Sequence, residues 1–155
     1  MTLRAHGLAV DAPNGWEIRI ARRAHDPESP GSVPRPVLHA ATIPLPADRA
    51  DFGDGVLQRL SAGDLFVTLF EYEPQAATTA LFAARGRPTP TAADFSPMAM
   101  QPSLPGLSGR QWFFNDGGRA FSLYIVLGSH ARRAVLVNRL HPVLSTLTID
   151  PRADA

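Results

Sequence analysis

The amino-acid sequence predicts an α+β domain built on a twisted antiparallel β-sheet. Three features point there. Gln111 to Gly128 is a pair of alternating apolar runs joined by Asn115-Asp116-Gly117-Gly118, residue types that tolerate the positive φ of tight hairpin turns. Leu65 to Glu73 is apolar on both strand faces, with Leu65, Val67 and Leu69 alternating with Phe66, Phe70 and Tyr72, which suits the centre of a sheet. The predicted strands are linked mostly by hairpin-length connections, with short helical segments between some of them.

From the N-terminus, Gly7 to Asp11 alternates, and Ala12-Pro13-Asn14-Gly15 is turn chemistry leading into Trp16, which predicts a first hairpin there. Trp16, Ile18 and Ile20 then share one face, and Glu17 and Arg19 the other. Arg22 to Pro36 loses periodicity and carries four prolines, so residues 22–36 read as an irregular loop. Val37 to Ile43 returns to strand period, with Val37, His39, Ala41 and Ile43 on one face, and Pro44 and Pro46 end it. Phe52, Val56, Leu57 and Leu60 recur at helical spacing, but Gly53 and Gly55 weaken the first half, so a short helix is expected at Val56 to Leu60.

Pro74 follows the central strand where a helix could begin, and the alanine-rich Ala76 to Ala84 predicts a helix of about two to three turns over one sheet face. Residues 87–109 form a second proline-rich irregular segment, with room for a short edge strand around Phe95. Beyond the hairpin, Ala134 to Val137 reads as a further strand or as a helix start. Asn138 is the expected N-cap of a final helix through Leu147, with Leu140, Leu144 and Leu147 at helical spacing and Pro142 in its first turn. The expected architecture is one domain over residues 1–155, with about five to seven strands flanked by two or three helices.

Composition narrows the function classes. A chain of 155 residues buries one sizeable core and is short for two domains. Hydrophobic residues make up 45% and charged residues 19%, a lean polar surface that suits a chain with a partner, either another protein or a second copy. The net charge of +1 supplies no field to concentrate nucleic acid or an anionic membrane. Every basic residue other than histidine is Arg, which removes lysine Schiff-base chemistry and P-loops. The absence of cysteine removes disulfides, thiolate nucleophiles, Cys-ligated zinc and iron–sulfur clusters. Met1 to Leu8 has no apolar signal-peptide region, and no stretch is long enough to span a membrane, so the chain as given is expected to be cytoplasmic.

The order of these features resembles the Mog1/PsbP-like group. The residues that carry the likeness are Ala12-Pro13-Asn14-Gly15-Trp16 opening a strand, the strand Phe66 to Tyr72, the hairpin, and Leu140 through Ile149. The resemblance spans most of the chain and implies a twisted antiparallel sheet with helices on both sides. The group shares architecture without a common active site, so it transfers no functional residue. The chain is also similar to small uncharacterised proteins of Arg-rich, high-GC bacteria.

His6, His25, His39, His130 and His141 show no chelating spacing, so no metal site is expected. His39 lies on an apolar face and reads as a core-edge histidine. Asp48, Asp51 and Asp54 lack the calcium-loop pattern and read as solvated or helix-start acids. His25-Asp26-x-Glu28 sits in a proline-rich loop, a poor mount for catalysis. Ser129-His130 lacks a nucleophile elbow, and neither Gly53-Asp54-Gly55 nor Gly106 to Gly109 has dinucleotide or Walker spacing. Glu71 and Glu73 share a face of the central strand and could form an acid–base pair. Trp112, Phe113 and Phe114 beside Arg110 and Arg119 have the composition of a base-stacking surface, but in a hairpin alternate rings face the core.

The most unusual segment is Ser96 to Gly106, where Met98, Met100 and Leu104 lie among prolines. Methionine suits adaptable protein contacts, and the alternative is that these side chains plug the sheet edge. The leading expectation is therefore a non-enzymatic module that binds another protein or itself through Met98, Met100 and Leu104, with no cofactor and no catalytic residue. The competing one is a small-molecule binder or enzyme with a pocket between the sheet and the 22–36 loop, using His25, His39 and Glu71 as its polar groups.

Overall fold

The computed structural model describes residues 1–23, 34–100 and 104–152. In chain order the strands are β1 (Thr2–Ala5), β2 (Leu8–Asp11), β3 (Glu17–Arg22), β4 (Pro36–Ala41), β5 (Leu65–Glu71), β6 (Ser108–Asp116) and β7 (Arg119–Leu127), followed by helix α1 (Arg133–Leu144) and β8 (Thr148–Ile149). They form two antiparallel sheets, one of five strands in the order β3-β4-β5-β7-β6 and one of three in the order β1-β2-β8. The α+β class and the central position of β5, buried along its whole length, agree with the sequence. The second sheet was not expected.

The β6–β7 hairpin closes at Asp116↔Arg119 through Gly117 and Gly118, whose φ values are 59° and 79°. Two consecutive left-handed residues are what a two-residue turn of this twist needs. The expected first hairpin is displaced. β2 pairs with β1 across His6 and Gly7, and Ala12 to Gly15 instead carries the chain from the small sheet to β3 in the large one. Leu8, Ala9 and Val10 are all buried, so β2 takes the middle place of its sheet and needs a partner on each side.

Among the described residues α1 is the one α-helix, in place of the two or three expected. At Val56 to Leu60 the chain makes a single 3₁₀ turn, Leu57–Arg59, after two glycines with positive φ. The alanine-rich segment forms two 3₁₀ turns, Pro74–Thr78 and Ala80–Phe82, broken at Thr79. Thr78 and Thr79 hydroxyls donate to the Gln75 and Ala76 carbonyls, competing with a regular ladder, and Phe82 is the one buried anchor of both turns. Without an amphipathic stripe to bury, alanine propensity alone does not hold a helix of this length.

α1 begins at Arg133, ahead of the expected cap. Its buried stripe of Leu136, Val137, Leu140, Val143 and Leu144 sets the helix, leaving Asn138 exposed in the middle and Pro142 in the last turn instead of the first. The expected edge strand near Phe95 is reduced to a bridge between Ser96 and Gly109. Residues 24–33 of the expected 22–36 loop lie outside the described residues. The strands on either side of it pair down to Arg22↔Pro36.

The five-stranded sheet has two unlike faces. On one, Leu65, Val67, Leu69, Phe121, Leu123, Ile125 and Phe114 pack against α1 and β2 in the main core. On the other, Ala41, Phe66 and Val126 pack against Leu45, Val56, Leu57 and Leu107, which come from irregular segments. No helix of the described residues is long and apolar enough to cross a membrane.

Candidate functional site

The irregular segments leave a gap on that second face. A cleft of about 660 Å³ opens there, within the size range of small-molecule sites. Its floor is strand: Gln111 and Tyr124 stand opposite each other in the β6–β7 register, with Tyr72 just past the end of β5. One wall is the 50–58 segment, with Phe52 and Leu57 as its apolar members and Asp51, Asp54 and Gln58 as its polar ones. The other wall is Ala99, Met100 and Leu104.

A buried polar node holds the first wall in place. His39 on β4 and Thr68 on β5 are register partners, and both bond to the main-chain carbonyl of Asp51, at 2.8 and 2.9 Å. Arg49 Nε donates to His39 Nδ1 at 2.7 Å. Because Arg can only donate, Nδ1 must accept, so Nε2 carries the proton and donates to Asp51. Burial lowers the His39 pKa below its ordinary value; the Asp51 carbonyl opposes this shift and the Arg49 charge adds to it. The ring is neutral and structural.

Aromatic contacts set the shape of the cleft. Phe52 stacks on Phe70 at 5.0 Å between centroids and meets Tyr124 edge-on at 6.2 Å. Tyr72 Oη donates to Ser122 Oγ at 3.2 Å, and Tyr124 Oη lies 3.7 Å from Met100 Sδ. Desolvation by burial raises the Tyr124 pKa, so its hydroxyl remains a donor. Gln58 bridges the first wall, accepting from Gly55 N–H and donating to Asp54.

The residues singled out in the sequence are scattered across the fold. Met100 and Leu104 pack on the second core and line the cleft, whereas Met98 stands outside it at 90% exposure. His25 lies outside the described residues. His39 is buried under the 50–58 wall with both ring nitrogens bonded, which corrects its readings as a core-edge residue and as a pocket group.

Glu71 does line a smaller cleft, with Arg22 and residues 34–36, but not as a free carboxylate. It is 4% exposed and forms a two-toothed ion pair with Arg119, at 2.8 and 2.9 Å. Glu73, its expected acid–base partner, is exposed and lies 3.7 Å from Arg35. Arg119 also donates to the His6, Gly7 and Asp150 carbonyls, so its five N–H groups are all used.

A serine–histidine contact that the sequence reading overlooked is Ser108 Oγ to His130 Nδ1, at 2.8 Å. Ser108 is fully buried, so no substrate carbonyl reaches it. The reading also missed Phe52, Tyr72, Gln111 and Tyr124 as a group. A signal was present: with the hairpin register placed, Gln111 and Tyr124 are polar-tipped residues on a sheet face that is otherwise apolar or closely covered. Compared with family models, with curated proteins and with solved structures, the chain matches none.

Proposed function

We propose that the chain is a non-enzymatic binding module whose cleft takes a small organic molecule with a flat apolar body and hydrogen-bonding edges. The observation that carries this reading is a floor of Gln111, Tyr72 and Tyr124, open among the described residues, beside a wall that His39 and Thr68 anchor. Ring faces and Met100 would hold the body, and Gln111, Asp51 and the Tyr124 hydroxyl would orient its edges. Among the described residues neither a histidine nor an arginine lines the cleft, which favours holding a ligand over proton-transfer chemistry. Fluorescence titration with the neutral probe 2-naphthol tests it. Saturable binding is expected, and Ala99→Trp, which fills the cleft from an exposed position, should abolish it while leaving the melting temperature unchanged. Absence of saturation would remove the reading.

A second reading is a protein contact, or a contact between two copies, through Met98, Met100 and Leu104. It is favoured by Met98, a large apolar side chain 90% exposed on a turn whose N-cap, Ser96, accepts from Met98 N–H. Sedimentation velocity of the purified chain tests the self-association form: a dimer that dissociates on Met98→Ser supports it, and a monomer at all concentrations removes it. Membership of the Mog1/PsbP-like group belongs to the same proposal, supported by the sequence order of its strand opening, central strand and hairpin.

A further inference from the structure

We infer that a second cleft, at the end of the molecule where the two sheets are joined, binds a phosphate-class anion. It encloses about 240 Å³, room for a phosphoryl group with a small body. Its charged lining is Arg22 from the end of β3, Arg35 before β4, Arg119 at the hairpin turn, Arg152 after β8, and Glu71, with His6 beside them. Both Glu71 oxygens are taken by Arg119, so that pair is neutral, and the guanidiniums of Arg22 and Arg35 set the sign. This concentration is local, because the whole chain carries only +1.

Among the described residues, a buried arginine donor of this cleft lacks an acceptor. Arg35 Nε is buried and meets no acceptor among the described residues, and its one carboxylate contact is the long 3.7 Å approach of exposed Glu73. Arg22 uses its Nε on His6 Nδ1 at 3.2 Å, and no other bond of its side chain is seen among the described residues. A buried charged donor without an acceptor is costly, and a phosphate oxygen matches the guanidinium fork. Arg119 cannot itself serve the ligand, since its N–H groups are all used. It fixes the floor against which the other arginines stand.

Isothermal titration at low ionic strength with inorganic phosphate and with glycerol phosphate tests the inference. Saturable binding to one site is expected. A higher affinity for glycerol phosphate would assign an organic phosphate, and equal affinity the free ion. Arg22→Gln with Arg35→Gln should weaken binding at least tenfold and leave the phosphate-free melting temperature unchanged; Arg22→Gln alone should weaken it less and serves if the double variant fails to fold. Absence of saturation, or binding equally strong in these variants and so an adventitious ion only, would overturn it. Binding that appears only after Asp26→Asn with Glu28→Gln would give the arginines to those two carboxylates and overturn it as well.

Discussion

One face of the five-stranded sheet lies under a helix and a second sheet, and the other under irregular segments that leave a cleft. Each face also holds a buried polar node. On the closed face Arg119 and Glu71 fasten β5 and β7 to the β1–β2 turn and to Asp150. On the open face His39 and Thr68 fasten a loop by one carbonyl. The first node uses charge to join two sheets, and the second uses neutral hydrogen bonds to hold a wall. Stability should therefore depend most on the closed face, and ligand chemistry on the open one.

The largest expected effect breaks the closed face. Arg119→Ala leaves the Glu71 carboxylate buried without its partner and should cost about 3–5 kcal/mol, read from the urea midpoint. Replacing both residues with Met should cost less, because no orphaned charge remains. If the single variant unfolds no more easily than wild type, the joint between the sheets is not where the stability lies.

Gly117→Val comes next. Its left-handed φ alone costs a residue with a side chain about 1–2 kcal/mol. A Cβ there would also sit 2.8 Å from the Pro151 Cα, so backbone of the segment after β8 must move. Thermal melts should therefore show Gly117→Val losing more than the φ penalty alone, and a loss no larger than that penalty would show that the closed face tolerates movement near Pro151.

The open face has a smaller, pH-dependent signature. The folded His39 pKa is lowered chiefly by burial, so the unfolded chain takes up this proton first as pH falls. The neutral ring's contribution is complete above the unfolded pKa of about 6.5 and is lost as pH falls from there to the folded value, with a slope of at most about 1.4 kcal/mol per pH unit. His39→Gln keeps a donor toward Asp51 and removes the proton. The difference between wild type and variant in denaturant midpoints should shrink as pH falls through this window. A constant difference would mean that the ring is not held neutral.

The smallest effects lie at the rim. Met98→Ser should stay within about 0.5 kcal/mol of wild type, as surface substitutions do. Met100→Ser strips a side chain that packs on the second core and should cost about 1–2 kcal/mol. Equal melting temperatures would place Met100 outside that core and widen the open face.

Local pattern determined the parts of this protein whose cause is local. The two-residue turn at Gly117 and Gly118, the apolar residues on both faces of β5 and the alternation of β3 are each written in neighbouring residues, and each appears where it was expected. The tertiary structure decided what depends on distant partners. Whether β2 pairs with β1 or β3 depends on which sheet needs its buried faces, and the start of α1 depends on which leucines reach the core. The alanine-rich segment offered propensity but no face to bury, and became 3₁₀ turns. The cleft is the extreme case. Asp51 is held by His39 and Thr68, which lie 12 and 17 positions away, and Glu71 meets Arg119 across 48. Such pairs leave no periodic trace in the sequence, because their partners become neighbours only once the sheet has formed.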